Sequence, residues 1–281
     1  MIFSLHYQFA KSILSEGVPS LSLSSARGLF GGGGLFLVLL LRGGKLEFKQ
    51  LSLTVFIISF FGFFLNQLLF MKGLSMSTPL NAAILSNTIA LVSLIFAYLQ
   101  KVERPCSRTI LGIVLGLVGV SLTIGFSQTG LTQTLVLGNV SIFLNVISFS
   151  FAFVLIKKEI SQGSSSLKLS AYMCSIGGLM LGLCHQFDFS KLWNYSVQST
   201  EHAGHVFFEI MISTALVYGL NNWCLKHLPL SHVSFFIYLQ PPISSIIGFF
   251  GTGSLPGTMQ IVGFLTIAAA GGLVLKRNRE T

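Results

Sequence analysis

FMKGLSMSTPLNAAILSNTIALVSLIFAYLQKVERPCSRTILGIVLGLVGVSLTIG, residues Phe70 to Gly125, is the stretch on which the reading of this chain turns. It reads as the end of one apolar helix, a short turn, a second apolar helix, a charged turn and a third apolar helix. Residues Cys224 to Leu275, CLKHLPLSHVSFFIYLQPPISSIIGFFGTGSLPGTMQIVGFLTIAAAGGLVL, repeat the plan. Lys72, Leu74 and Ser77 match Lys226, Leu228 and Ser231, all at an offset of 154 residues. An internal repeat this long in so apolar a chain marks a membrane protein built from two halves, the plan of many transporters.

Composition agrees. The 281 residues are 52% hydrophobic and only 9% charged, with a mean hydropathy of +0.79. A soluble domain carries about 25% charged residues, so an all-α polytopic membrane protein is the class left. The 26 Phe suit helices that face a lipid bilayer. The net charge of +9 is no sign of a nucleic-acid partner, because basic residues of membrane proteins gather in cytoplasmic loops. Cys106, Cys174, Cys184 and Cys224 are scattered, which suggests neither a metal site nor a disulfide framework. No cofactor fingerprint is present: none of the glycine runs follows a strand, and there is no Walker motif.

Ten spans can be drawn, at 1–15, 18–41, 51–73, 78–99, 107–126, 135–157, 167–187, 203–226, 230–251 and 257–275. The one long polar connection is Asp188 to His202. The first span is short, rising about 22 Å against a hydrocarbon core of about 30 Å. Two readings stay open for it: a helix whose first half is missing, or an interfacial or re-entrant segment. Thirteen of the 17 Lys and Arg fall on one side of this layout and three (Lys11, Lys72, Lys191) on the other, while Arg27 sits inside a span. That bias places both termini in the cytoplasm; if the first span does not cross, only the N-terminus changes side. The expected membrane is a bacterial inner membrane. The halves, 1–126 and 135–276, hold five spans each around a junction at Ser127 to Thr134. An odd number inverts the second half relative to the first.

These residues resemble the drug/metabolite transporter superfamily, in its ten-helix, two-repeat EamA form. The first repeat carries Lys72-Gly73-Leu74, Asn81-Ala82-Ala83-Ile84-Leu85, Glu103-Arg104 and Gly112 to Gly119. The second carries Leu239-Gln240-Pro241 and Gln260-Ile261-Val262-Gly263, and Pro19 with Ala26-Arg27 fits the start of helix two. Two features depart from the pattern: the short first helix, and Ser254 where the second repeat usually has an acidic residue. The resemblance implies a transporter of a small organic metabolite held in a central cavity between the halves. It leaves the metabolite open.

Polar groups at membrane depth are costly and need a reason. Arg27 and Glu209 fall in the same half of the bilayer. They neutralise each other, or Arg27 snorkels to the outer surface, or Arg27 binds a substrate carboxylate or Glu209 carries a proton. Gln67 and Asn221 are equivalent at the 154 offset, flanked by Asn66 and Asn222. As facing amides they offer donors and acceptors to a substrate; as helix glue they only pair spans. Tyr7, Gln8, Asn87, Asn145, Tyr238 and Gln240 are further candidates for the same cavity. Trp223, three residues before Lys226, reads better as an interface anchor. Pro241-Pro242 falls in mid-span and reads as a kink lining a cavity. Gly28, Gly31 to Gly34, Gly112, Gly116, Gly178 and Gly182 read as small faces for close helix packing.

The expectation is a secondary transporter driven by gradients or exchange. Several amides, rings and one or two charges suit an amino acid or an amino-acid derivative. The Phe-rich composition and compact loops resemble transporters of intracellular bacteria, some of which exchange S-adenosylmethionine for S-adenosylhomocysteine. A lipid-linked-sugar flippase of the same superfamily is the alternative, although such proteins are often half-length repeats that dimerise. A membrane-embedded enzyme is the weakest reading, since HExxH and any close set of carboxylates or His are missing from the sequence. Oligomeric state is open, with a homodimer among the options.

Overall fold

The computed structural model describes residues 2–44, 52–124, 132–243 and 257–275. In chain order the helices are α1 (Ile2–Ser15), α2 (Ser20–Leu41), α3 (Leu53–Met76), α4 (Pro79–Asn87, resumed after Thr88 as Ile89–Leu99), α5 (Ser107–Ile124) and α6 (Gln133–Ser161). They continue as α7 (Ser166–Cys184), α8 (Ser190–Gln198), α9 (Thr200–His227), α10 (Leu230–Phe235, tightening to a 3-10 turn over Phe236–Leu239) and α11 (Thr258–Leu275). No strand occurs among the described residues. Seven of these helices (α2, α3, α4, α6, α7, α9 and α11) are long and apolar enough to cross a bilayer, and α5 is a shorter apolar helix. The protein is an all-α, polytopic membrane protein.

Several expectations lie outside the described residues. They are the loop carrying Lys45 and Lys49, most of the junction between the halves, the second part of the ninth span with Ser254, and the terminal Lys276, Arg277 and Arg279.

The helix starts are set by side-chain caps. Ser52, Thr78, Thr132, Ser165 and Ser199 each accept a hydrogen bond from a backbone N–H in the first turn of the adjoining helix. The short α1 is packed rather than peripheral: Ala10 and Ile13 are buried in one cluster with Phe70, Met71 and Leu74 of α3. The connection read as merely polar contains α8, whose Leu192 and Tyr195 face inward while Trp193 and Val197 are exposed. The i, i+3 pairing of Leu192 with Tyr195 is the amphipathic signal that its polar composition hid.

Small residues set the closest helix contacts. A Cβ on Gly28 would run into Gly178 Cα and lie 2.8 Å from the Cys174 carbonyl, so α2 and α7 touch backbone to backbone there. On the opposite flank, a Cβ on Gly112 would meet the Ala270 carbonyl of α11 at 3.0 Å, and one on Gly119 would meet the Gly263 carbonyl at 2.9 Å. Gly116 makes room for the Tyr238 ring. These glycines pack as their spacing suggested. Gly33 faces open space and has no such role.

A second register appears once the helices are seen. Ser20-Leu21, Leu23-Ser24 and Gly31-Gly32 of α2 recur as Ser166-Leu167, Leu169-Ser170 and Gly177-Gly178 of α7, at an offset of 146. Gly17 and Gly163, which precede α2 and α7, share that offset and both have positive φ (+80° and +100°). The offset grows to 154 only past the connection that carries α8.

Among the described residues, two helices carry π segments. α3 is a π-helix over Phe60–Leu65, and α9 is a π-helix over Phe208–Leu216. Such turns are rare and cluster at functional sites. Asn66-Gln67 come directly after the first, and Val217-Tyr218 directly after the second.

Candidate functional site

A cavity of about 120 Å³ lies between these two π-bearing helices. Its walls come from α1 (His6), α2 (Arg27), α3 (Asn66, Gln67, Phe70), α4 (Ser86, Ile89) and α6 (Asn145, Phe149, Phe153), closed by Ser213 to Asn221 of α9 and by Ile237 and Gln240. Both halves of the chain therefore contribute.

The polar wall is a connected network. Arg27, 2% exposed, donates from Nε to Thr214 Oγ1 (2.9 Å), from Nη1 to Gln67 Oε1 (3.1 Å) and from Nη2 to Ser213 Oγ (3.3 Å). Its Nε is 3.5 Å from Glu209 Oε2. Glu209, fully buried behind the wall, accepts from His6 Nδ1 at 2.8 and 3.0 Å. The π turn explains the hydroxyls between the two charges. Thr214, five residues on, donates to the Glu209 carbonyl at 2.8 Å, which leaves Thr214 Oγ1 facing Arg27. Ser213 Oγ lies 3.1 Å from Glu209 Oε2. Thus Arg27 does not snorkel; it is held by an ion pair and three neutral acceptors.

The amide side joins this network through Gln67. Its Nε2 donates to the Tyr218 hydroxyl at 3.0 Å, linking α3 to α9. The Tyr218 hydroxyl donates in turn to Asn66 Oδ1 at 3.4 Å. Asn145 Nδ2 donates to the Asn66 backbone carbonyl at 2.8 Å, so α6 reaches a carbonyl of α3 just past the π segment. Asn221 differs. It lines the cavity, is half-buried, and its side chain makes no hydrogen bond among the described residues. Gln67 and Asn221 thus occupy equivalent positions with unequal duties.

Of the ten candidates, Arg27, Gln67, Asn145, Asn221 and Gln240 line the cavity, and Glu209 stands one layer behind it. Three others are placed elsewhere. Gln8 is exposed, because two residues turn a helix by about 200° and His6, Ala10 and Ile13 already claim the inner face of α1. Asn87 is buried but turned back on α4, its Nδ2 donating to the Ala83 carbonyl at 2.6 Å; Ser86 and Ile89 take the wall instead. Tyr238 is fully buried in the core beside α5 and α11, edge-on to Phe235. The side chain of Tyr7 lies outside the described residues.

The reading of the chain missed His6, Ser213 and Tyr218. His6 had a signal in its i, i+4, i+7 alignment with Ala10 and Ile13; Tyr218 had one in lying three residues before Asn221. Pro241 and Pro242 cannot donate to the carbonyls of Ile237 and Tyr238. The chain tightens to a 3-10 turn just upstream, and that turn carries Ile237 into the wall. Trp223 is 54% exposed and tilted against His227, as suits an anchor.

The chain is thus a polytopic helical bundle with a buried polar cavity walled by both halves. The model of the EamA-like transporter family matches residues 1–125 and 136–275, and the chain belongs to that family. It is 24% identical over 275 residues to the uncharacterized transporter YyaM of Bacillus subtilis (strain 168), covering 95% of this chain and 89% of that protein. It is 24% identical over 270 residues to the WAT1-related protein At3g56620 of Arabidopsis thaliana, covering 85% of this chain and 70% of that one. One solved crystal structure matches with a TM-score of 0.81 at 18% identity, over 100% of this chain and 94% of its own, which supports the fold alone.

Proposed function

We propose that the protein is a secondary transporter that carries a small polar metabolite, an amino acid or a close derivative, by alternating access between its halves, 1–126 and 135–276. The observation that carries this reading is the cavity itself. It lies between the halves and combines an internally neutralised Arg27–Glu209 pair with amides and hydroxyls. Because the pair offsets its own charge, the site favours a zwitterion or a neutral polar solute over a free ion. Phe70, Phe149 and Phe153 supply apolar surface for a side chain. The same amides, hydroxyls and rings could also take a larger amino-acid conjugate such as S-adenosylmethionine, exchanged for S-adenosylhomocysteine. We place both termini on the cytoplasmic side, on the distribution of Lys and Arg, and take the membrane to be a bacterial inner membrane.

Counterflow in proteoliposomes tests this. Vesicles preloaded with a panel of amino acids should accumulate the same labelled solute without any added energy source. Accumulation of S-adenosylmethionine alone would replace the substrate class, and failure of the whole panel would overturn the reading.

A further inference from the structure

Two lysines repeat one contact at opposite ends of the molecule. Lys11 Nζ, near the end of α1, donates to the Leu74 carbonyl in the last turn of α3 at 3.2 Å. Lys157 Nζ, near the end of α6, donates to the Leu225 and Leu228 carbonyls at the end of α9, at 2.6 and 2.8 Å. Lys11 and Lys157 correspond at the 146 offset, and Leu74 and Leu228 correspond at 154. The contact is one contact built twice.

The two copies are far apart. Ser77, at the α3–α4 turn, donates to Asn139 near the start of α6. Asn139 and Lys157 are 18 residues apart on that one helix, or about 27 Å at 1.5 Å per residue. This nearly equals a hydrocarbon core of about 30 Å. Each lysine therefore works at its own membrane face. Each also closes the turn just beyond the cavity: Leu74 is four residues past Phe70, and Leu225 four past Asn221.

The next residues repeat the logic with different partners. Ser77 and Ser231 are equivalent and come three residues after the clamped carbonyls of Leu74 and Leu228. Ser77 is anchored by Asn139, whereas Ser231 donates from both its backbone N and its hydroxyl to Glu103. A lysine ammonium at the C-terminal carbonyls of a helix is well placed electrostatically. A static cap would account for one such contact. Duplication would copy such a cap, but the copies fall at opposite ends of the bundle, each one helical turn past a cavity-lining residue, which is the arrangement that alternate closure of two faces needs.

We propose that Lys11 and Lys157 are latches of the two mouths: each holds its own face shut by tying α1 to α3, or α6 to α9, and each lets go when that face opens. This rests on the alternating-access reading above. It makes a prediction of opposite signs, which general destabilisation does not.

The test uses the full-length chain with its four cysteines replaced and a single reporter, Ser86→Cys, in the cavity wall. Labelling by a membrane-impermeant maleimide is read from each face, in right-side-out and inverted vesicles. Lys11→Met should raise labelling from the α1–α2 turn face and lower it from the other. Lys157→Met should do the reverse. The expected change in the ratio of the two rates is about tenfold, the effect of 1.4 kcal/mol on a two-state equilibrium. Lys→Arg at either site keeps a donor and should restore the starting ratio. If a Met variant is absent from the membrane, Lys→Leu, which also lacks a donor, is read in its place. Unchanged ratios, or shifts in the same direction for both lysines, would overturn the proposal. Labelling needs no substrate, so failed counterflow with opposite shifts removes the substrate class and keeps the latches. Successful counterflow with unchanged ratios does the converse.

Discussion

Arg27 and Glu209 approach to 3.5 Å inside the bundle, yet the shorter hydrogen bonds of each go to third parties. Arg27 is held by Thr214, Ser213 and Gln67; Glu209 is held by His6. The ion pair is therefore the centre of a network that fastens α1, α2 and α3 to the π segment of α9.

That arrangement makes the two single substitutions unequal. Arg27→Met leaves Glu209 with His6, a partner that can carry positive charge. Glu209→Gln leaves Arg27 with neutral acceptors only. Stranding a buried charge costs about 3–5 kcal/mol. Glu209→Gln should therefore lower the thermal midpoint of the detergent-purified protein more than Arg27→Met. The double variant should recover part of the loss, because the two sites are coupled. A double variant that is stable but inactive in counterflow gives the pair a part in transport. An active one leaves it structural. Equal midpoints for the two single variants would refute the asymmetry.

Helix contact offers a cleaner comparison within α2. Gly28→Ala sets a Cβ against Gly178 Cα and 2.8 Å from the Cys174 carbonyl, backbone that cannot rotate away. α2 and α7 must separate, and overpacking of this kind costs typically about 1–3 kcal/mol. Gly33→Ala, five residues on, meets nothing within 4 Å and should be neutral or slightly stabilising. Thermal melts of the two variants decide it, and equal behaviour would deny that the Gly28–Gly178 contact is tight in the membrane.

The fold was largely legible because hydrocarbon imposes its pattern on every span: long apolar runs, punctuated by Pro19, Pro79, Pro105, Gly163 and Pro229, leave little else to choose. The site was only half legible. Arg27, Gln67 and Asn221 stand out because a polar residue in mid-span must have a reason. Which side of a helix faces the cavity is another matter. Gln8 and Asn87 have the right chemistry and the wrong azimuth, and Tyr238 is fixed by the room that Gly116 leaves, far away in sequence. The π segments add a further residue to a turn and rotate the rest of the helix beyond it, a shift no periodic reading anticipates. The 146 register is hard to read in the sequence because it is written in Ser, Leu and Gly, residues too common in such a chain to stand out.

Orientation can be checked directly. With the native cysteines replaced, single cysteines at Arg104 and Ser165 should react with an impermeant reagent from the cytoplasmic face, and one at Ser196 only from outside. Arg104 and Ser165 lie in the α4–α5 and α6–α7 turns, and Ser196 lies on α8. Labelling of Ser165 and Ser196 positions from the same face would break the alternation, and with it the inverted arrangement of the two halves.

The sharpest expectation concerns the two equivalent amides. Gln67 bonds Arg27, Tyr218 and Asn66, so Gln67→Leu strands an Arg27 N–H and frees the Tyr218 hydroxyl of its donor. The Asn221 side chain bonds nothing among the described residues, so Asn221→Leu strands nothing there. Gln67→Leu should therefore lose thermal stability by about 1–3 kcal/mol, the cost of unsatisfied buried groups, and its transport defect will be mixed with that loss. Asn221→Leu should reach the membrane and melt like the parent. Its cavity-facing donors and acceptors then have one remaining use, in the substrate. A group left unpaired on the substrate costs about 1–3 kcal/mol, or roughly 5–150-fold in apparent affinity. A parent-like melt with a raised half-saturation constant in counterflow is the expected pairing for Asn221→Leu. Parent-like transport as well as a parent-like melt would remove Asn221 from the binding surface and shift it to the wall shared by Gln67 and Arg27.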